Sequence, residues 1–264
     1  MIGLVRVERA MALPSGRWRR GASLFVATVL AAAAGACGVT ETRGGRDTTA
    51  VLEAALASPV RTERDRRMDA GRHPLELLRF AGVEPGMRVL DVSTGGGYTA
   101  QLLALAAGPG GTVWAQTTRP NAVLTERLAA HPQANLIVAK RPLDDPVPPE
   151  APPLDLVTLV LNYHDISYLP VDRDAMNRKI FAALRPGGRY VIVDHAARPG
   201  TGTSVAKTLH RIDEAFVTAE VERAGFVLDR EAGFMRNAAD RREEPSNRMK
   251  EPSDRFVLRF VKPR

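Results

Sequence analysis

The sequence predicts an α/β protein in which an open, mostly parallel sheet is covered by helices on both faces. Short apolar runs bounded by turn residues alternate with stretches of helical period from residue 49 to residue 261. One run, residues 156–161, is apolar except for Thr158, as a strand buried on both faces must be. A third observation is the passage from the apolar run 89–92 to the helical spacing of Leu102, Leu103 and Leu105. It goes through Ser93-Thr94-Gly95-Gly96-Gly97, a strand-to-helix turn.

In chain order, residues 49–58 carry a helical pattern that Pro59 ends, and residues 61–72 are dense in Arg and Asp. The default expectation for 61–72 is a solvated helix face; a lid over a ligand is the functional alternative. A helix follows at 74–81, and Pro85-Gly86 turns the chain into the first strand, 89–92. Further strands are expected at 112–116 and 135–139, with a helix at 121–130 between them. A proline-rich loop, 142–153, holds Asp144 and Asp145 before the strand at 156–161. Met176, Ile180, Phe181 and Leu184 line one face of the next helix, which stops at Arg185-Pro186-Gly187-Gly188. Tyr190 to Val193 form the fifth strand. A helix at 213–224 has Asp213 as its expected N-cap, and strands at 226–228 and 256–261 close the chain. No internal repeat is visible.

Composition sets bounds on partners. With 44% hydrophobic and 25% charged residues, the 264-residue chain has ordinary globular character. Aromatics at 5% argue against a stacking platform for single-stranded nucleic acid. The formal charge is +7, but residues 1–36 hold five arginines against Glu8, and the remainder carries only +3. No nucleic-acid partner is expected. The single cysteine excludes an internal disulfide.

The N-terminus has the layout of an export signal. Trp18-Arg19-Arg20 flanks an uncharged run of sixteen residues, and Met11 would give a signal of conventional length. The run closes on Ala34-Gly35-Ala36-Cys37-Gly38, which resembles a lipobox with Ala34 where leucine is usual. The expectation is a signal segment at 1–37, lipidation of Cys37 with membrane attachment at the cell envelope, a flexible tether at 38–47 and one folded domain at 48–264. An over-extended start codon would instead leave a cytoplasmic protein.

Three consecutive glycines cost backbone entropy and leave the main chain bare enough for a ligand to lie against it. The helix beginning at Tyr98 would aim its free N–H groups at the same place. Asp91, at the strand end, is placed to accept from a cationic or N–H-bearing ligand.

Three stretches in order carry a family likeness: Val89-Leu90-Asp91-x-Ser93-x-Gly95-Gly96-Gly97, Leu154-Asp155-Leu156-Val157, and Leu184-Arg-Pro-Gly-Gly-Arg-Tyr-Val-Ile-Val-Asp194. They resemble class I S-adenosylmethionine-dependent methyltransferases. Leu161-Asn-Tyr-His-Asp165, Asp194-His-Ala-Ala-Arg-Pro-Gly-Thr-Gly202 and Lys207-Thr-Leu-His-Arg-Ile-Asp213 further resemble a bacterial group of predicted methyltransferases with an export signal. The resemblance covers residues 60–264. It implies a Rossmann-like, doubly wound, seven-stranded sheet with the last strand antiparallel. It also implies S-adenosylmethionine as cofactor, bound by Asp91, Ser93, Gly95, Gly97 and Tyr98 over the strand ends. Two positions depart from the family pattern. Ser93 replaces its first glycine, and Gln116 stands where an acidic residue would grip the ribose hydroxyls; a neutral amide should bind them less tightly. Gly95 to Ala100 also fits the Gly-x-Gly-x-x-Ala form of a dinucleotide site, with Arg119 available to NADP, but no acidic residue follows about twenty positions on.

Methyl transfer needs alignment of the acceptor and, where the acceptor must lose a proton, a base. Candidate catalytic residues at the strand ends are His164, Asp165, Asp194, His195 and, a loop later, His210. Asn162 and Asp144 or Asp145 are placed to meet the acceptor and the adenine amino group. Arg211 is expected to pair with Asp213 or to bind an anionic substrate. The histidines and aspartates match no compact zinc spacing, so no metal is expected. The leading function is methylation of a small molecule. Because S-adenosylmethionine is made in the cytosol, an exported chain also admits a non-catalytic ligand-binding protein of the envelope. An NAD(P)-dependent oxidoreductase is the third reading.

Overall fold

The computed structural model describes residues 43–264. The signal-like segment, Cys37 and the first half of the expected tether lie outside the described residues. Three helices come first: α1 (Arg43–Ala57), α2 (Glu63–Arg72) and α3 (Pro74–Ala81). Strands and helices then alternate through β1 (Arg88–Val92), α4 (Tyr98–Ala107), β2 (Thr112–Thr117), α5 (Ala122–Ala130), β3 (Leu136–Lys140) and β4 (Leu154–Val160). The second half holds α6 (Tyr163–Ser167), α7 (Arg173–Ala183), β5 (Leu184–His195), α8 (Ala206–Leu209), α9 (Glu214–Arg223), β6 (Val227–Ala232) and β7 (Arg255–Val261).

The strands lie in the order β3-β2-β1-β4-β5-β7-β6. All neighbours pair in parallel except β7, which runs antiparallel to both β5 and β6. The chain winds outward from β1 to β3 and then returns to place β4 on the other side of β1. That reversal opens a crevice beyond the carboxyl ends of β1 and β4, where ligands of open α/β sheets bind. The turn at 93–97 and the segment 161–165 both emerge there.

Alternation along β1 divides the core into two layers. Val89 packs with Leu78 and Leu103 on one face of the sheet, and Leu90 and Val92 pack with Met176 and Ile180 on the other. Every residue of β4 is buried, the polar Thr158 included. Such double-sided burial is what the apolar run at 156–161 required.

Some boundaries differ from expectation. Helix α1 starts at Arg43, inside the stretch read as tether, because each residue added to an existing helix gains a hydrogen bond without a new nucleus. Leu184, expected to end α7, instead opens β5 opposite Leu154. The Arg-Pro-Gly-Gly turn is absorbed into this strand as a register shift, with Gly187 left-handed at φ 76° and its N–H donating to Lys262 O. The single turn α6 was not foreseen, since five residues carry no readable period. No helix among the described residues is long and apolar enough to cross a membrane.

Candidate cofactor cradle and histidine cluster

Beyond β1 the main chain passes through three left-handed residues, Ser93 (φ 54°), Gly95 (φ 57°) and Gly97 (φ 80°). Ser93 thus holds a backbone shape that favours glycine, at a cost of about 1–2 kcal/mol. A Cβ on Gly95 would meet nothing within 4 Å, so this residue faces open space; one on Gly97 would lie 2.6 Å from Leu124 Cδ1. The first glycine keeps a cavity open and the second lets α5 pack. The cavity holds about 410 Å³ and is walled by Asp91, Gly95, Asn162 and, from α2, Met68 and Arg72. Its size falls in the range of small-molecule sites, roughly 300–1,000 Å³.

Asp91 is 2% exposed and accepts from Thr158 Oγ1 and Thr94 Oγ1, each at 2.6 Å. Burial pushes its carboxyl up to about 6, against the pull of these two hydroxyls and of Arg72. Thr158, the polar residue in the apolar run 156–161, is therefore part of the site. Asn162 Nδ2 donates to Ser93 O at 3.2 Å and Val160 O at 2.9 Å, tying the end of β4 to the turn.

Helix α2 roofs the cradle, so the solvated-face expectation fails on one side of it. Thr62 and Asp65 form a capping box at its start. The same Asp65 carboxylate receives Arg127 Nη1 and Nη2 at 2.8 and 2.7 Å, and Arg127 Nε donates to Gly96 O at 2.8 Å. One buried guanidinium thus joins the roof to the glycine turn, a link between residues 62 apart that no local pattern announces. At the other end of α2, Arg72 reaches the cavity with its guanidinium 5.0 Å from the Tyr98 ring centre. Among the described residues Arg72 has no hydrogen-bond or ion-pair partner. Tyr98 walls the cavity, but its hydroxyl is committed to Asp69 Oδ1 at 2.7 Å.

Two of the expected ligand-binding residues are engaged by, or placed among, other groups of the chain. Gln116 is fully buried: its Oε1 accepts from Ser93 N and its Nε2 donates to Arg141 O, both at 2.7 Å. Its amide braces the turn, and the residue also lines the second cavity described below. Asp144 is exposed and lies in a separate shallow cavity with Lys140 and Arg141. Its neighbour Leu143 turns inward, and with Ile166 and Leu169 it lines a second cavity of about 370 Å³ that shares Ser93, Gly95 and Asn162 with the first. Asp145 pairs with Arg141.

The candidate catalytic residues gather beside this second cavity. Asp194, at the end of β5, is completely buried and accepts from three groups: His164 N at 2.8 Å, His195 N at 2.7 Å and His164 Nδ1 at 2.6 Å. His164 Nε2 lies 3.3 Å from Asp165 Oδ1, and His210 Nδ1 lies 3.4 Å from the same oxygen. Tyr168 Oη also donates to it, at 2.6 Å. The ring of His164 stands edge-on to those of His195 and His210, with centroids 5.5 and 5.6 Å away. Burial pulls the His164 imidazolium down, but Asp165 and Asp194 outweigh it and hold its pKa at about 9. His195, buried beside the positive Arg255, is pushed down to about 2 and sits 2.6 Å from Ser253 Oγ. The carboxylates therefore favour the protonated form of His164, while burial and Arg255 favour the neutral form of His195.

Arg211 is structural. It is fully buried against Asp240 at 2.8 Å, and Asp213 is the N-cap of α9 rather than its partner. Sequence reasoning missed Arg72 and the Asp65–Arg127 clamp; the density of Arg and Asp in 61–72 was the available signal.

No family model and no curated protein matches the sequence. Solved structures do match in fold. The chain is similar to a SAM-dependent methyltransferase from Aquifex aeolicus, with a TM-score of 0.56 and 18% identity over 81% of this chain and 98% of that one. It is similar to an S-adenosylmethionine-dependent methyltransferase from Mesorhizobium loti, with a TM-score of 0.54 and 17% identity over 74% and 99%. The N-methyltransferase NodS from Bradyrhizobium japonicum gives 0.52 and 14% over 76% and 98%. The fold is that of class I methyltransferases. It differs from the all-parallel, six-stranded dinucleotide-binding arrangement by the antiparallel β7 placed between β5 and β6, so the fold does not support the oxidoreductase reading.

Proposed function

We propose that the chain is an S-adenosylmethionine-dependent methyltransferase acting on a small-molecule acceptor. The observation that carries this reading is the pairing, across one cavity, of a buried carboxylate and a guanidinium that makes no salt bridge among the described residues. Asp91 and Arg72 both line the space above the open Gly95. An amino-acid zwitterion fits between them, its ammonium toward Asp91 and its carboxylate toward Arg72. Gly95 leaves room for the ligand, and Leu143, Ile166 and Leu169 offer an apolar slot for a flat base. The residues present therefore fit the amino-acid and base ends of the cofactor, while the ribose lacks the acidic partner the family supplies.

The chemistry such a cofactor supplies is an electrophilic methyl group on a sulfonium, whose sulfur retains the electron pair of the broken bond. What the chain must do is position and exclude. Helix α2, held down by Asp65 and Arg127, keeps bulk water off the cradle, and Asn162 holds the end of β4 against the turn. Asn162 borders both cavities and Asp165 the second, so the polar end of β4 meets whatever lies over the cradle.

Calorimetric titration with S-adenosylhomocysteine tests the proposal. The full chain should bind it, and Gly95→Val, which fills the cavity, and Arg72→Ala should each weaken binding by about tenfold or more, equivalent to roughly 1.4 kcal/mol. Absence of binding to folded protein would overturn the reading. It would favour a non-catalytic ligand-binding protein.

A further inference from the structure

The gathering of His164, Asp165 and His210 is tighter than acceptor binding alone requires. One ring nitrogen of each histidine and a carboxylate oxygen of Asp165 all lie within 4.8 Å of one another. Ligands about 2.1 Å from a tetrahedral ion stand about 3.4 Å apart. The observed separations from Asp165 Oδ1 are 3.3 Å to His164 and 3.4 Å to His210. Only the gap between the two ring nitrogens has to close for an ion to sit among them.

The surroundings are those of a ligand set as well. His164 has its other nitrogen, Nδ1, committed to the fully buried Asp194 at 2.6 Å, which fixes the ring and turns Nε2 toward Asp165. A carboxylate behind a ligating imidazole is the usual outer partner of a metal-bound histidine. His210 holds a left-handed backbone at φ 49°, and its carbonyl accepts from Ser246 Oγ at 2.8 Å, so this ring too is placed by its main chain. A strained non-glycine residue persists where its surroundings over-determine it. The side chains of Asp165 and His210 are 38% and 30% exposed, which leaves a path for an ion and room for further ligands.

We propose that His164, Asp165 and His210 bind a first-row divalent transition-metal ion, with Asp194 as the outer-shell carboxylate. Two imidazoles and one carboxylate select zinc, iron, cobalt or nickel over magnesium or calcium, which prefer oxygen alone. Of the three residues, Asp165 also lines the second cavity, together with Ser93 and Gly95. On the methyltransferase reading, and only there, this places the ion beside the cradle. A hydroxyl or thiol of the acceptor could then ligate it and be held deprotonated, its proton passing to solvent.

The test does not depend on methyl transfer. Full-length, untagged chain is stripped with a chelator and titrated with Zn²⁺ and with Co²⁺, and the zinc-loaded protein is examined by X-ray absorption. The proposal predicts one equivalent bound and a shell with two imidazoles and no sulfur. It further predicts loss of affinity of about a hundredfold in His210→Ala and in Asp165→Asn, and of about 10–100-fold in Asp194→Asn. His210 is partly exposed, so its variant should fold even if the buried Asp194→Asn does not. Absence of binding to the folded wild-type chain would overturn the proposal, as would a sulfur ligand or affinity unchanged in His210→Ala and Asp165→Asn. S-adenosylhomocysteine binding is read on the same samples; its failure alone would count against the methyltransferase reading and leave the metal site standing.

Discussion

The two halves of the site are built from different material. The cradle is main chain: one contiguous stretch from Asp91 to Tyr98, three left-handed residues and the start of α4. Its braces, Gln116, Asn162 and Arg127, grip backbone atoms of the turn. The histidine cluster is side chain: His164 and Asp165 after β4, Asp194 and His195 at the end of β5, and His210 after α8. Its members hold one another through rings and carboxylates. A main-chain site is broken by adding atoms or loosening its braces, whereas a side-chain site is broken by removing atoms. The two should therefore fail independently.

The largest effect is expected where the cradle is braced. Arg127→Ala leaves the buried Asp65 without its counter-ion and should cost about 3–5 kcal/mol, read from denaturant unfolding. Because the lost guanidinium also held Gly96 O, adenosyl-ligand affinity should fall with stability. On the other side of the comparison, His210→Ala should leave S-adenosylhomocysteine affinity within about twofold, since side chains on separate loops contribute independently. Loss of ligand binding in that variant would show that the halves are one unit.

A third expectation concerns pH. The Asp91 carboxyl titrates at about 6 in the folded chain against about 3.9 when unfolded. The folded state then binds more protons between these values, and stability falls as pH rises from about 4 to 6. A ligand ammonium needs the ionised form, so affinity should move the other way, becoming about tenfold tighter between pH 5 and 7. Asp91→Asn should flatten both profiles; a slope that survives the substitution belongs to another group. The smallest effect is expected at Ser93→Gly. Relief of the left-handed strain, partly offset by glycine's entropy, should add less than about 1 kcal/mol.

This difference in material also decides what could be read in advance. The glycine turn and the run 89–92 were legible because the requirement for bare backbone is written in adjacent residues. Thr158 stood out as the one polar residue of a buried strand, although its partner Asp91 could not be named. Gln116 was placed correctly at the end of β2, but an amide there can face a ligand or a neighbouring loop, and period alone does not choose. Asp144 lies in an irregular loop whose side-chain directions carry no period, and there Leu143 rather than Asp144 lines the second cavity. The histidines were recognised individually, but a separation of 45 residues between Asp165 and His210 matches no metal spacing, and only the fold brings them to 3.4 Å. Asp65 and Arg127 join through folding in the same way.

The most direct measurement of the central claim is thermal unfolding of the full chain with S-adenosylmethionine, S-adenosylhomocysteine, NADP or no ligand. At about a hundred times its dissociation constant a ligand adds roughly 2.7 kcal/mol, a rise of several degrees for a chain of this size. Stabilisation by both adenosyl ligands, and none by NADP, is the predicted result. A shift with NADP, or no shift with either adenosyl ligand on well-folded protein, would contradict it.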